Sequence, residues 1–400
     1  MINKMRRRVL KFLLADIQFA SRDLKEIAVL KEIGFEVAVL CIGNINESII
    51  NHSGIKIRKI EKLHLDFSQT KIHRAVKIIQ RELLLIKVLR SYLVDCIRCH
   101  NLDALLIGWI STLFLFSKSK PLLVYDSHEY EVGRKTDGKR GKIGNYLTRI
   151  LEKFLMKRCT FSIMVNKTIA EKVQTLHHLK SKPIVVPNAA SNWPIDSEIC
   201  KERRKEIIDT YGINKNAFLI LYHGQITTGR GLENLIRAVA NTPEVALVIL
   251  GYEEGDYAML LKKMILELDV ERFVFFHQAV SNNMLWQYIG AFDVGMVMIE
   301  NVCPSYYYSL PNKLFENIQS LTPIIGSNFP EIENIIEGYQ IGLCCEPSDP
   351  IQISKAIGLM KSDKTKYAYY KTNLLKAKEE LCWENQKNTL VESFSQIYKS

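Results

Sequence analysis

The sequence has no apolar run long enough to span a bilayer as a helix. Its longest, Ala104 to Phe116, is broken by Gly108, Ser111 and Thr112 and is shorter than the ~18 residues a spanning helix needs. Nine cysteines in 400 residues are irregularly spaced and include the adjacent pair Cys344 and Cys345. They form no disulfide framework, so a reducing cytosol is the expected compartment. The basic then apolar start, Met1 to Leu14, is only a strand's length and runs into Asp16 without a small-residue cleavage site. It reads as a first β-strand and not as a signal peptide. There is no Asp-x-Asp, which argues against a metal-bridged diphosphate site, and no low-complexity tract or short repeat. Basic and aromatic residues are not interleaved as in nucleic-acid-binding modules, and no helix-turn-helix pattern occurs. With 47% hydrophobic and 24% charged residues, composition makes no case for disorder.

What is present is a lopsided charge. Residues 1 to 190 hold 34 Lys and Arg against 17 Asp and Glu, a net +17, whereas residues 191 to 400 carry net −6. An anionic membrane, an anionic acceptor and nucleic acid all fit such a half. Its cations concentrate at Lys4 to Arg8, along the helix-like stretch Lys71 to Arg90, and at Arg134, Lys135, Lys139, Arg140 and Lys142. Helical spacing puts Arg74, Lys77 and Arg81 on one face and Ile78, Leu85 and Leu89 on another, which suits either a bilayer-surface helix or an ordinary amphipathic one.

Four hundred residues suffice for two domains. Strand-like apolar runs at 8–15, 36–42, 96–100, 122–126, 161–165 and 184–186 alternate with helical stretches near 22–34, 70–94, 104–117, 143–158 and 167–178. The alternation restarts with strands at 218–221, 245–250, 273–276, 294–298, 323–325 and 342–345. Helices are expected between them near 231–241, 255–269, 281–291, 312–320, 330–337 and 350–360. This is the pattern of two doubly wound α/β domains with parallel sheets. The expected division is 1–190, 191–380 and a terminal helix in 381–400, with a linker at Ala190 to Ile195.

Two stretches carry the chemistry. Leu310 to Glu316, read as the end of a strand-like run and the start of a helix, offers the backbone N–H groups of Asn312, Lys313 and Leu314 to an anion behind Pro311. Glu316, one turn in, is placed to reach ribose hydroxyls. Upstream, Tyr222-His223-Gly224-Gln225 runs on to Gly229-Arg230-Gly231, a strand, glycine-rich loop and helix of the kind that cradles phosphates. Together these resemble the C-terminal half of GT-B glycosyltransferases of family 4. Val186-Pro187-Asn188 resembles the family's closing VPN, Tyr125-Asp126-Ser127-His128-Glu129 its D-x-H-E turn, and Asp16 to Gly34, with Arg22 and Asp23, its first loop and helix.

The resemblance implies the GT-B fold, two Rossmann-like domains facing a cleft, and a retaining transfer of a hexose-type sugar from a nucleotide-diphosphate donor to a glycan or lipid-linked glycan in polysaccharide synthesis. It implies Arg230 on the diphosphate, Glu316 on the ribose and His128 facing the transferred sugar. Catalytic roles are expected for His128, Arg230 and Lys313, and donor contacts for Gly224, Gln225, Arg230, Tyr308, Asn312, Lys313, Leu314 and Glu316. Arg22, Glu129 and Arg134 are placed on the acceptor side. No metal or cofactor is expected, no nucleic acid is expected as a partner, and the chain is expected at the inner face of the membrane. Two departures stand out: Tyr308 occupies the position of the family's first carboxylate, and Gln225 that of its first phosphate-binding arginine. They keep open a non-catalytic partner subunit, beside a same-fold epimerase and a basic nucleic-acid-binding protein.

Other patterns carry less. Cys96-Ile97-Arg98-Cys99-His100 has the c-type haem spacing but lies in an expected buried strand. A zinc site there would need a second ligand pair at suitable spacing, and His177-His178 belongs to a different element. Gly133 to Lys139 is followed by Arg140 where a phosphate-binding P-loop has Ser or Thr. The sequons at Asn46, Asn51 and Asn166 have no secretory route.

Overall fold

The computed structural model describes residues 7–17, 20–43, 51–52, 55–62, 70–113, 120–134, 141–253 and 255–397. Three of the features read above, the cations at 4–6 and 135–140 and the sequon at Asn46, lie outside them. The chain divides into two compact units, residues 1–186 with 387–400 and residues 187–386.

The N-terminal unit is built on an eight-stranded sheet: β1 (Arg8–Phe12), β2 (Glu36–Gly43), β3 (Asn51–His52), β4 (Ile55–Glu61), β5 (Cys96–His100), β6 (Leu122–Asp126), β7 (Phe161–Met164) and β8 (Ile184–Val185). Their order is β3-β4-β2-β1-β5-β6-β7-β8, and every pairing except β3 with β4 is parallel. The helices are α1 (Ser21–Glu32), α2 (Lys71–Ser91), α3 (Asn101–Leu113), α4 (Lys142–Met156) and α5 (Lys167–His177). Strands covered on both faces read as near-continuous apolar runs. β4 instead alternates, with Ile55 and Ile57 buried and Lys56 and Arg58 exposed, and it was absent from the sequence expectation.

The C-terminal unit holds the helix α6 (Ser197–Tyr211) and six parallel strands: β9 (Phe218–His223), β10 (Val245–Gly251), β11 (Val274–Gln278), β12 (Val294–Val297), β13 (Ile324–Ser327) and β14 (Gly342–Cys345). Their order is β11-β10-β9-β12-β13-β14, which is the 3-2-1-4-5-6 order of a dinucleotide-binding sheet. β9 and β10 are buried along their whole length. The remaining helices are α7 (Leu232–Ala240), α8 (Tyr257–Glu267), α9 (Leu285–Gly290), α10 (Pro304–Tyr307), α11 (Asn312–Gln319), α12 (Pro330–Tyr339), α13 (Pro350–Ser362), α14 (Lys364–Glu380) and α15 (Trp383–Ile397). α6, α10 and α14 were not expected from the sequence. α6 buries only Cys200, Ile207 and Ile208, and α14 only Tyr370, Leu374 and Ala377, so neither shows a strong apolar stripe.

The division between units falls at Val186, ahead of the linker expected at Ala190 to Ile195. Ala189 and Ala190 are buried against Phe315, with Trp193 packed alongside, so these residues are core of the C-terminal unit. At the other end the break lies inside α15. The Trp383 N–H donates to the Ala190 carbonyl at 2.9 Å within one unit, whereas Phe394 stacks edge-on with Phe35 and Phe161 in the other. No helix among the described residues is long and apolar enough to cross a membrane.

Candidate functional site

In a sheet of this order the chain leaves β9 and β12 in opposite directions, so a crevice opens beyond their carboxyl ends. The loop from Gly224 to Gly231 enters it from β9, and α11 follows β12. Gly224 takes φ 117°, a conformation that favours glycine. Gly295 on β12 lets α11 come close, because a Cβ there would overlap the Asn317 carboxamide. Asn317 in turn donates to the Lys313 carbonyl at 2.7 Å.

Lys313 is thereby held at the crevice. Its side chain is 8% exposed, its Nζ lies 3.8 Å from the centroid of the Tyr222 ring, and it has no hydrogen-bond partner among the described residues. A Cβ on Gly224 would sit 3.9 Å from that Nζ. Burial pushes the Lys313 ammonium well below its ordinary pKa, Arg230 adds to the shift, and Glu316 opposes it. The Arg230 guanidinium lies over the Tyr306 ring at 4.8 Å. Glu316 Oε2 lies within hydrogen-bond distance of His223 Nε2, at 2.9 Å. His223, the last residue of β9, was not singled out from the sequence, although its place between the strand and Gly224 was the available signal.

The structure corrects the reading of 310–316 in two respects. No strand leads into Pro311; the short helix α10 and Tyr308 to Leu310 do. The Leu314 N–H is not free, since it donates to the Pro311 carbonyl at 3.0 Å. Asn312 is exposed and its Oδ1 accepts from Asn188 Nδ2 at 2.7 Å. Tyr308 stands edge-on to Tyr307 at 4.9 Å, and the Gln225 carbonyl accepts from the Tyr222 hydroxyl at 2.7 Å.

In the N-terminal unit six charged side chains are buried together. Lys11 of β1 pairs with Asp23 and Glu26 of α1 and with Asp126 at the end of β6, the last at 2.7 Å. Arg22 reaches Glu26 at 3.0 Å and Asp126 at 3.1 Å, and Arg98 of β5 reaches Glu26 at 2.6 Å and Asp126 at 2.8 Å. Three cations thus meet three carboxylates. Burial alone would raise the Asp126 pKa, but Arg98, Lys11 and Arg22 outweigh it and hold the carboxyl well below its usual range. Arg22, expected on the acceptor side, is 1% exposed; it braces Asp126 from within the core because α1 turns it inward.

His128 rests on this network, its Nε2 3.6 Å from Asp126 Oδ2. Burial, then Arg22, bring its pKa down to about 4 despite Asp126, so the imidazole is neutral at pH 7. Its ring centroid is 3.9 Å from that of His100, whose Nδ1 is 3.1 Å from Asp23. His100 was passed over as the end of a haem-like pattern. Ligand atoms of Asp23, His100 and His128 lie within 4.8 Å of one another, and Asp23 is also ion-paired with the Lys11 ammonium. Glu129 is exposed and binds Arg134 at 3.1 Å, and Arg134 also binds Glu131 at 3.2 Å. The turn itself is tied down from behind: Tyr125 donates to Glu152 at 3.0 Å, and Ser127 donates to the Glu129 carbonyl at 2.7 Å.

Residues 203–376 match the family model described as glycosyl transferases group 1. The C-terminal unit is a group 1 glycosyl transferase domain. Over 367 residues the chain is 24% identical to an uncharacterized glycosyltransferase of Methanocaldococcus jannaschii, covering 88% of this chain and 87% of that one. Among solved structures it is similar to Anabaena HepE in complex with UDP and glucose, with a TM-score of 0.73 at 15% identity, covering 98% and 100% of the two chains. It is also similar to the sucrose-phosphate synthase of Thermosynechococcus elongatus, with a TM-score of 0.78 at 16% identity over 98% and 100%. The glycosyl transferase domain and the N-terminal unit thus have the GT-B fold of two Rossmann-like domains.

Proposed function

We propose that the chain is a retaining glycosyltransferase that moves a hexose-type sugar from a nucleotide diphosphate to a glycan or lipid-linked glycan, working from the cytoplasm at the inner face of the membrane in polysaccharide synthesis. The observation that carries this reading is the buried Lys313 ammonium, without a hydrogen-bond partner among the described residues, beside the Gly224 turn at the switch point of a dinucleotide-type sheet. A buried cation without a partner is costly. A diphosphate supplies the missing acceptors.

In this reading Lys313 and Arg230 receive the charge that grows on the leaving diphosphate. HepE is solved in complex with UDP and glucose and in complex with UDP-glucose, which supports the same class of ligand here. Glu316, oriented by His223, takes the ribose, with Gly224, Gln225, Tyr308, Asn312 and Leu314 around the donor. Neutral His128, backed by Asp126 and paired with His100, offers a nitrogen to the transferred sugar, with Glu129 and Arg134 toward the acceptor. The net +17 of residues 1 to 190 favours an anionic membrane surface as the place of work.

The test is a panel of nucleotide sugars read by thermal shift and by release of free nucleotide diphosphate. One donor that both stabilises the protein and is turned over in the presence of acceptor is the expected result. Binding without any release would favour a non-catalytic partner subunit, a reading that Tyr308 and Gln225 support; stabilisation by none of the donors would reject the donor site.

A further inference from the structure

α4 turns an apolar stripe to solvent. Ile143, Tyr146, Leu147 and Ile150 recur at the i, i+3, i+4, i+7 spacing of one helix face and are 78%, 62%, 58% and 46% exposed. A helix packed on a soluble core turns such a stripe inward. Here only Glu152, Leu155 and Met156 of α4 are buried, so the helix is held by its last turns. Glu152 is fixed from within, 2.7 Å from His177 Nε2 and accepting from the Tyr125 hydroxyl.

The stripe has a basic surround. Residues 142–158 carry Lys142, Arg149, Lys153, Lys157 and Arg158, and their one acidic residue is the buried Glu152. α4 packs on α3, and α3 packs on α2, whose first turns expose Ile72, Val76 and Ile79. α2 carries six Lys and Arg against the single Glu82. Between α3 and α4, Trp109 meets Phe154 edge-on at 5.0 Å, with the Arg158 guanidinium over the Phe154 ring at 3.4 Å, the aromatic and basic pairing that suits a headgroup layer.

We infer that α4, together with the start of α2, is the surface by which this chain docks on an anionic lipid bilayer, Ile143, Leu147 and Ile150 entering the boundary between headgroups and acyl chains. This deepens the membrane-peripheral part of the proposed function and rests on it. A second copy of the chain would set like charges against each other, whereas anionic lipid satisfies the stripe and the cations at once.

The experiment is co-sedimentation of the full chain with vesicles of phosphatidylcholine, with or without phosphatidylglycerol, at low and high salt. One variant combines Ile143→Gln, Leu147→Gln and Ile150→Gln; a second combines Arg74→Gln, Lys77→Gln and Arg81→Gln. The unaltered chain is expected to favour the anionic vesicles. The apolar variant is expected to lose about tenfold in partitioning at both salt concentrations. The basic variant is expected to lose about tenfold at low salt and little at high salt, where screening has already removed the attraction. All six residues are outside the donor site, so the thermal shift given by a nucleotide diphosphate is expected to be equal in the three chains. Its absence in all three would count against the donor reading alone, and its loss in one variant would mark that variant as misfolded, leaving the other to decide. Vesicle binding by the apolar variant equal to that of the unaltered chain overturns the inference. So does a dimer, seen by light scattering, that the apolar variant splits while neither chain binds vesicles.

Discussion

The Lys313 ammonium stands 3.8 Å from the centroid of the Tyr222 ring and, among the described residues, makes no hydrogen bond. Its depressed pKa and its missing hydrogen-bond partner are two faces of one fact. Among the described residues no acceptor meets this ammonium, which leaves it open to an anionic ligand.

Binding of a nucleotide diphosphate should therefore take up a proton. Burial and Arg230 lower the Lys313 pKa in the free protein, and a bound diphosphate raises it, so affinity should fall as pH rises through the free-state value. Titration calorimetry in two buffers of different ionisation heat measures the uptake. Lys313→Met should abolish it and weaken binding by about 1–3 kcal/mol; an unchanged proton count would show that another group titrates.

Glu316→Gln should weaken donor binding by about 1–3 kcal/mol, the scale of a lost charge-assisted hydrogen bond, while folding is preserved. Because Glu316 also holds His223 at 2.9 Å, His223→Phe should show a smaller loss of the same kind. Calorimetric affinities that match the unaltered protein in Glu316→Gln would remove the ribose contact from the scheme.

Arg230→Ala should lower turnover more than it raises the Michaelis constant, since charge on the leaving diphosphate grows toward the transition state. Steady-state kinetics with a productive donor separate the two. A change confined to the Michaelis constant would make Arg230 a ground-state contact.

His128 gives a pH signature in stability. Its folded pKa of about 4 lies below the ordinary 6.5, so the unfolded chain binds the proton first. The stabilising difference is fully present above pH 6.5 and is lost as pH falls through 4, about 3 kcal/mol in all. Denaturant midpoints followed from pH 7 to pH 4 should fall less steeply in His128→Gln than in the unaltered chain; parallel curves would mean that His128 titrates normally.

Much of this was legible in the sequence, and the parts that were not share a physical cause. The buried runs of β9 and β10 and the glycine-rich loop announce themselves locally, because burial on both faces and positive φ leave direct marks on residue type. The approach to Pro311 was misread because Tyr306, Tyr307 and Tyr308 look strand-like, whereas Pro304 starts a short helix there and Tyr307 packs on Phe329 at 4.9 Å. His100 gained its meaning only from register: β5 and β6 pair it with Asp126, two residues before His128. Lys11 and Arg98 sit inside otherwise apolar strands, and nothing along the chain says that α1 will deliver the matching carboxylates.

That delivery has a consequence for how the N-terminal unit comes apart. If α1 lifted from the sheet, Asp23 and Glu26 would leave with it, and Lys11, Arg98 and Asp126 would remain in an apolar setting with two positive charges facing one negative. The intermediate would be worse than either the closed state or the fully unfolded one. Partial opening at this helix is suppressed, so the amides of α1 and β1 should exchange with solvent at a common rate, set by global unfolding and not by local breathing.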